Sequence, residues 1–147
     1  GVTMPTENIA AFRKRVNEFY MSQKLFDQPS LLLPKADVTV PDFKAVDEEL
    51  LTRLELLEPF GNGNPEPVLR AEGVTVRHQR RMGADGQHVK LDLQDGNGKT
   101  MPFIAFSAPD HFFAEPGEYV TIWFQPIVNE WQGRRSVEGR LLHLERQ

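Results

Sequence analysis

Apolar positions along this chain follow two different periods, and the change from one to the other divides the sequence. Ile9, Phe12, Val16 and Phe19 recur at intervals of three and four, which puts them on one stripe of a helix that Thr6 is placed to cap. Pro29, Pro34 and Pro41 surround Leu31-Leu32-Leu33 and break any helical reading, so residues 25 to 46 read as an extended connector. A second helix opens at Asp47-Glu48-Glu49, carries Leu50, Leu51, Leu54 and Leu57 on its apolar side and stops before Pro59. Three acids in a first turn are what the helix dipole favours, so the triplet needs no catalytic explanation.

From Val68 onward apolar and polar residues alternate in short runs separated by turn residues, the pattern of antiparallel strands. Val68 to Arg81 predicts one long strand bent near Gly73, and Ala84-Asp85-Gly86 turns it into a second from His88 to Leu93. Val89, Leu91 and Leu93 then share one face, with His88, Lys90 and Asp92 on the other. Asp95-Gly96-Asn97-Gly98 supplies the positive φ of another hairpin leading into Thr100 to Phe106. Ser107 to Gly117 is broken by prolines and has room for one helical turn; Tyr119 to Gln125 and Arg134 to Leu144 predict the last two strands. Phe103, Phe106, Trp123 and Phe124 alternate within these runs and read as core. The expected fold is mostly β: a five-stranded OB-fold-like barrel preceded by a helical lead-in. Five strands with an insertion between the third and fourth is the OB order, which other small barrels share.

Charge sharpens this division. The net charge of −4 argues against a polyanion partner, but residues 1 to 67 hold seven Lys and Arg against eleven Asp and Glu, whereas residues 68 to 147 hold ten of each. The acidity belongs to the lead-in. In the barrel half, basic residues cluster in Arg77-His78-Gln79-Arg80-Arg81 and Arg134-Arg135. No cysteine is present, which excludes disulfides and thiolate metal sites and fits a reducing, cytoplasmic location. The longest apolar runs span a few residues, far short of the roughly 20 that cross a bilayer, so no membrane partner is expected.

Catalytic patterns are missing from the sequence. Gly61-Asn62-Gly63 lacks the Lys and Ser or Thr of a phosphate-binding loop, and Glu66 stands where a dinucleotide turn needs a third glycine; the segment reads as a helix-to-strand corner. His78, His88, His111 and His143 form no ligand-spaced pair, and neither a Gly-x-Ser-x-Gly element nor a thiol nucleophile exists. No cofactor or metal is expected in this chain. Binding residues are easier to find. Trp131 reads as part of the turn between the fourth and fifth strands, beside Arg134 and Arg135, where its indole is either a stacking surface for a base or a packing lid. Arg77, Arg80 and Arg81 near the first hairpin, with His88 and Lys90 on the outward face of the second strand, would extend such a groove.

The run Leu57-Glu58-Pro59-Phe60-Gly61-Asn62-Gly63-Asn64-Pro65-Glu66-Pro67 resembles the signature that joins the catalytic core of RecJ-type single-stranded-DNA exonucleases, members of the DHH phosphoesterase superfamily, to their OB domain. Gly83 to Leu91 is similar to that family's first barrel hairpin, Asn129-Glu130-Trp131-Gln132-Gly133 to its last, and residues 1 to 20 to the final helix of its second core domain. The resemblance implies three segments: residues 1 to 24 as a core helix, 25 to 67 as connector, and 68 to 147 as barrel. It also implies a parent enzyme that degrades single strands from the 5′ end with Mn2+ or Mg2+ in DNA repair and recombination. The Asp-His-His triplet of such metal sites is absent; Asp110-His111 is followed by Phe112. The expected function is therefore non-catalytic: a barrel holding single-stranded DNA for the rest of the catalytic core. The alternative is a module recruiting a single-stranded-DNA-binding protein, with Arg134-Arg135 meeting an acidic tail.

Overall fold

A computed structural model of the protein describes residues 1–23 and 33–147. The chain forms two compact units, Gly1–Leu33 and Pro34–Gln147. In the first, a 3-10 turn at Thr6–Asn8 leads into helix α1 (Ile9–Ser22). Thr6 lies inside that turn, and the α1 N-cap is Asn8, which makes no side-chain capping bond. The expected cap at Thr6 is corrected accordingly. Ile9, Phe12, Val16 and Phe19 do form one stripe, and all four are exposed. Of the expected connector, which begins at residue 25, the part up to residue 32 lies outside the described residues.

The second unit begins with a short strand β1 (Val38–Thr39), a 3-10 turn at Phe43–Ala45 and helix α2 (Glu48–Glu55). Asp47 caps α2 by accepting the Leu50 N–H at 2.9 Å, and Glu48 and Glu49 fill its first turn. The helix ends earlier than its leucines suggest, leaving Leu56 and Leu57 exposed in the following turn. The Gly/Pro corner behaves as read: Gly61 and Asn64 exchange backbone bonds, and the Asn64 amide donates to the Leu57 and Pro59 carbonyls.

Five long strands follow: β2 (Leu69–Met82), β3 (His88–Gln94), β4 (Thr100–Ala105), β5 (Tyr119–Trp131) and β6 (Arg134–Arg146). They pair in the order β2-β3-β4-β6-β5, and β5 returns to β2, closing a five-stranded barrel with β1 added in parallel outside β2. β4 and β6 run parallel; the other barrel pairs are antiparallel. Closure depends on β2 serving two neighbours. Its first part pairs with β5 and its second with β3, and the change falls near the irregularity between Ala71 and Val74, where Gly73 has φ +60°. The segment between β4 and β5 holds one 3-10 turn, Asp110–Phe112.

Inside the barrel, alternate residues of each strand meet: Val74, Val76, Val89, Leu91, Leu93, Phe103, Val120, Ile122, Phe124 and Leu144 are all buried. Phe103 stands centrally, 5.1 Å from the Phe124 ring at 89° and 5.4 Å from the Phe43 ring. Gly139 of β6 makes this arrangement possible, because a Cβ there would run into the Phe103 ring. Phe43 enters from the lead-in and is held by Asp95, whose carboxylate accepts the N–H groups of Phe43 at 2.8 Å and of Asn97 and Lys99 at 2.9 Å. Asp95 thus fixes the β3–β4 turn and the barrel plug together.

Burial works to raise the Asp95 pKa, but these backbone donors outweigh it and hold the carboxyl below its ordinary value. A depressed folded pKa gives stability that is present above the unfolded value and lost as pH falls through the folded one. Asp95→Ala is expected to cost about 3 kcal/mol at neutral pH by orphaning enclosed donors. Urea unfolding from pH 7 down through the carboxylate range checks this: the difference between wild type and variant must shrink as the pH falls.

Candidate nucleic-acid interface

Register decides which polar residues share a surface. Past Val76, β2 carries a second irregularity, with Arg77 standing between the paired Val76 and His78. Val74 and Val76 point inward before it, whereas beyond it Gln79 and Arg81 pair with the inward Leu91 and Val89. His78, Arg80 and Met82 therefore face outward, paired with Asp92, Lys90 and His88. β4 continues these rows with Pro102 opposite Asp92 and Ile104 opposite Lys90. The outer face of β2, β3 and β4 thus has three cross-strand rows, and His78, Arg80, Lys90 and Asp92 surround a shallow hollow of about 250 Å3.

A ribbon made of the distal halves of β5 and β6 stands beside this face. Its turn, Gln132-Gly133, has positive φ at both residues, 50° and 74°. The ribbon is tied to the face by Glu138, a nearly buried carboxylate that accepts from Lys90 Nζ at 3.0 Å and from Asn129 Nδ2 at 2.8 Å. Alternation along β6 brings Ser136 and Arg134 to the same side of the ribbon as Glu138. Arg135 alternates to the other side and lines a hollow beside Asp47 and Glu48 that Pro102 and Ser136 also border.

The eight residues singled out in the sequence are thus not one cluster. Arg80, His88, Lys90 and Arg134 belong to the outer face and its flanking ribbon. Lys90 is already paired with Glu138, a partner that β3 by itself does not reveal. Arg81 turns away and lays its guanidinium 3.8 Å from the Phe113 ring centroid. Arg77 is the exposed bulge residue. His88 uses Nδ1 to accept the Ser107 N–H at 2.9 Å, which leaves Nε2 pointing away from that bond. Trp131 is the last residue of β5, paired with Arg134, and not a turn residue as expected; its side chain lies outside the described part.

Phe106, expected in the core, is the clearest departure. β4 ends at Ala105, and Phe106 is 62% exposed beside His88, with ring centroids 5.4 Å apart at 69°. Phe103, Trp123 and Phe124 are buried as expected. On the far side of the barrel, Trp123 lies under the Arg70 guanidinium and beside His143, which in turn meets His111 at 5.5 Å. Burial, with His111 adding to it, lowers the His143 pKa.

Among the described residues no group of three or more His, Cys, Asp or Glu converges to hold a metal ion. Among the described residues the two buried carboxylates are already committed, Asp95 to backbone N–H groups and Glu138 to Lys90 and Asn129, and neither is open to Mg2+ or Mn2+. None of the described helices is long and apolar enough to cross a membrane.

The profile of the family described as RecJ OB domain matches residues 37–143. The chain is 24% identical over 137 residues to the single-stranded-DNA-specific exonuclease RecJ of Bacillus subtilis (strain 168), an alignment covering 92% of this chain and 17% of that protein. Crystal structures of RecJ from Thermus thermophilus in complex with Mg2+ and with Mn2+ superpose on it with TM-scores of 0.62 at 24% identity. These cover 99% of this chain and 21% and 20% of those chains, and show a shared fold.

Proposed function

The chain belongs to the RecJ OB domain family, and from that premise we propose that its barrel holds single-stranded DNA on the outer face of β2, β3 and β4. The chain spans about a fifth or less of the proteins it matches, so the exonuclease activity, its Mg2+ or Mn2+ and any role in repair and recombination are properties proposed for a parent enzyme. This chain contributes binding. The observation that carries the reading is the register that aligns Arg80, Lys90 and His88 on one open face flanked by the ribbon of Arg134. Trp131 at the ribbon end is proposed to stack on a base, and the arginines to meet phosphates.

The face is only weakly positive, because Asp92 and Glu138 stand among its cations. Binding is accordingly expected to be modest, tolerant of sequence, stronger for single strands than duplex, and weakened by salt. Fluorescence anisotropy with a labelled 20-mer single strand and its duplex, over a series of salt concentrations, tests this. No single-strand binding even at low salt would overturn it.

Glu138 provides a sharper check. Glu138→Gln removes the charge that neutralises Lys90, and is expected to raise single-strand affinity about fivefold at 0.1 M salt and to steepen the log-log salt dependence by about 0.7. An unchanged slope would mean Lys90 does not meet phosphate. The exposed Arg134-Arg135 pair at the ribbon end favours a second reading, recruitment of a single-stranded-DNA-binding protein through an acidic tail. Trp131→Ala separates the two, since it weakens oligonucleotide binding only on the first.

A further inference from the structure

Exposed aromatic residues scattered over a surface are ordinary, but Phe106 is held in place. Continuing the β3–β4 register by one step from the Val89–Ala105 pair sets it across from His88, in the row that Met82 completes. Its ring meets His88 at 69°, a contact that leaves most of the side chain in solvent. The backbone just after it is fixed twice: Ser107, a non-glycine residue at φ 49°, donates its N–H to His88 Nδ1, and Ala108 donates to the Gln87 carbonyl at 2.8 Å. A left-handed non-glycine residue held by specific bonds points to a positional requirement. Here it fixes the backbone directly after a ring that alternation with the inward Ala105 already turns outward.

Resting on the single-strand reading above, we propose that Phe106, braced by His88, is a stacking platform for one unpaired base. The Arg80–Lys90 row lies two residues along the strands, about 7 Å away, with Arg80 two strands across from Phe106, roughly 10 Å to the side, so that a strand of DNA running obliquely over the sheet passes both. A strand crossing the face can therefore set one base on Phe106 while Arg80 meets a phosphate further along the same strand. A base in a duplex has both faces covered by its neighbours and cannot occupy the platform, so Phe106 selects unpaired DNA without reading its sequence.

The test uses the 147-residue chain and a 20-mer single strand containing one 2-aminopurine, whose fluorescence is quenched by stacking. Wild type should bind and quench. Phe106→Ala should lose about tenfold in affinity with an unchanged salt slope, since no charge is removed, and should quench less. Phe106→Trp should bind like wild type, whereas Phe106→Leu, apolar but without a π face, should behave like alanine. Phe106 is exposed, so each variant should keep the wild-type melting temperature. If wild type binds and Phe106→Ala or Phe106→Leu binds equally well, the platform is wrong and the binding face stands. If wild type fails to bind, both fall.

Discussion

Phe43→Ala is expected to lower the unfolding free energy of the barrel unit by about 3 to 5 kcal/mol. Phe43 has no exposed surface, and its ring packs against Phe103, which meets Phe124 across the barrel. Truncation removes the plug and leaves a cavity that the closed ring of strands cannot collapse to fill, so both the transfer and cavity contributions apply. A domain is typically stable by about 5 to 15 kcal/mol, so this is a large share of the total. Urea unfolding should show a lower midpoint with little change in slope. Phe43→Leu, which keeps most of the volume, should cost much less. A loss below about 1 kcal/mol for the alanine variant would show that the barrel end closes without the plug.

Phe43 also marks where sequence reading stops. It lies in a proline-punctuated connector with no period, and what brings it into the core is a bond to Asp95, 52 residues further on. Local pattern carries no such information. The strands β2, β3 and β4 were legible because a half-buried strand must alternate, and their turns because Asp-Gly and Asn-Gly mark positive φ. β5 runs on past the expected end at Gln125, through Pro126, which pairs with Gly139. The barrel was readable, and so was its relation to the RecJ OB domain family through the run from Leu57 to Pro67.

The candidate site was legible in kind but not in arrangement. Lys90 was placed on the outward face by alternation with Val89 and Leu91, and that placement holds; its partner Glu138 is 48 residues away and invisible to local reading. The arginines of β2 show the same limit more sharply. Counting by twos from Val74 and Val76 would send His78 and Arg80 into the core. The bulge at Arg77 reverses the count, so Arg80 faces out and Arg81 turns towards Phe113. Phe106 lies outside the core by simple alternation: Phe103 and Ala105 face inward, so Phe106 follows Pro102 and Ile104 outward, and a bond from Ser107 to His88 fixes the backbone just after it.

The reversal at Arg77 leads to the largest effect expected on binding. Arg80 and Arg134 lie on the outer face and its side of the ribbon, while Arg81 and Arg135 point elsewhere. Arg80→Gln combined with Arg134→Gln should reduce the salt slope for single-strand binding by about 1.4 and the affinity by roughly 25-fold at 0.1 M salt, two phosphate contacts at about 0.7 each. Arg81→Gln combined with Arg135→Gln removes the same total charge, so any long-range field effect is matched between the pairs. That second pair should change affinity less than about twofold, because screening leaves little beyond direct contacts. Anisotropy titrations of both double variants over the same salt series check the expectation. Equal losses from the two pairs would mean that DNA responds to the net charge of the barrel, and the face set by the β2 register would then not be the binding surface.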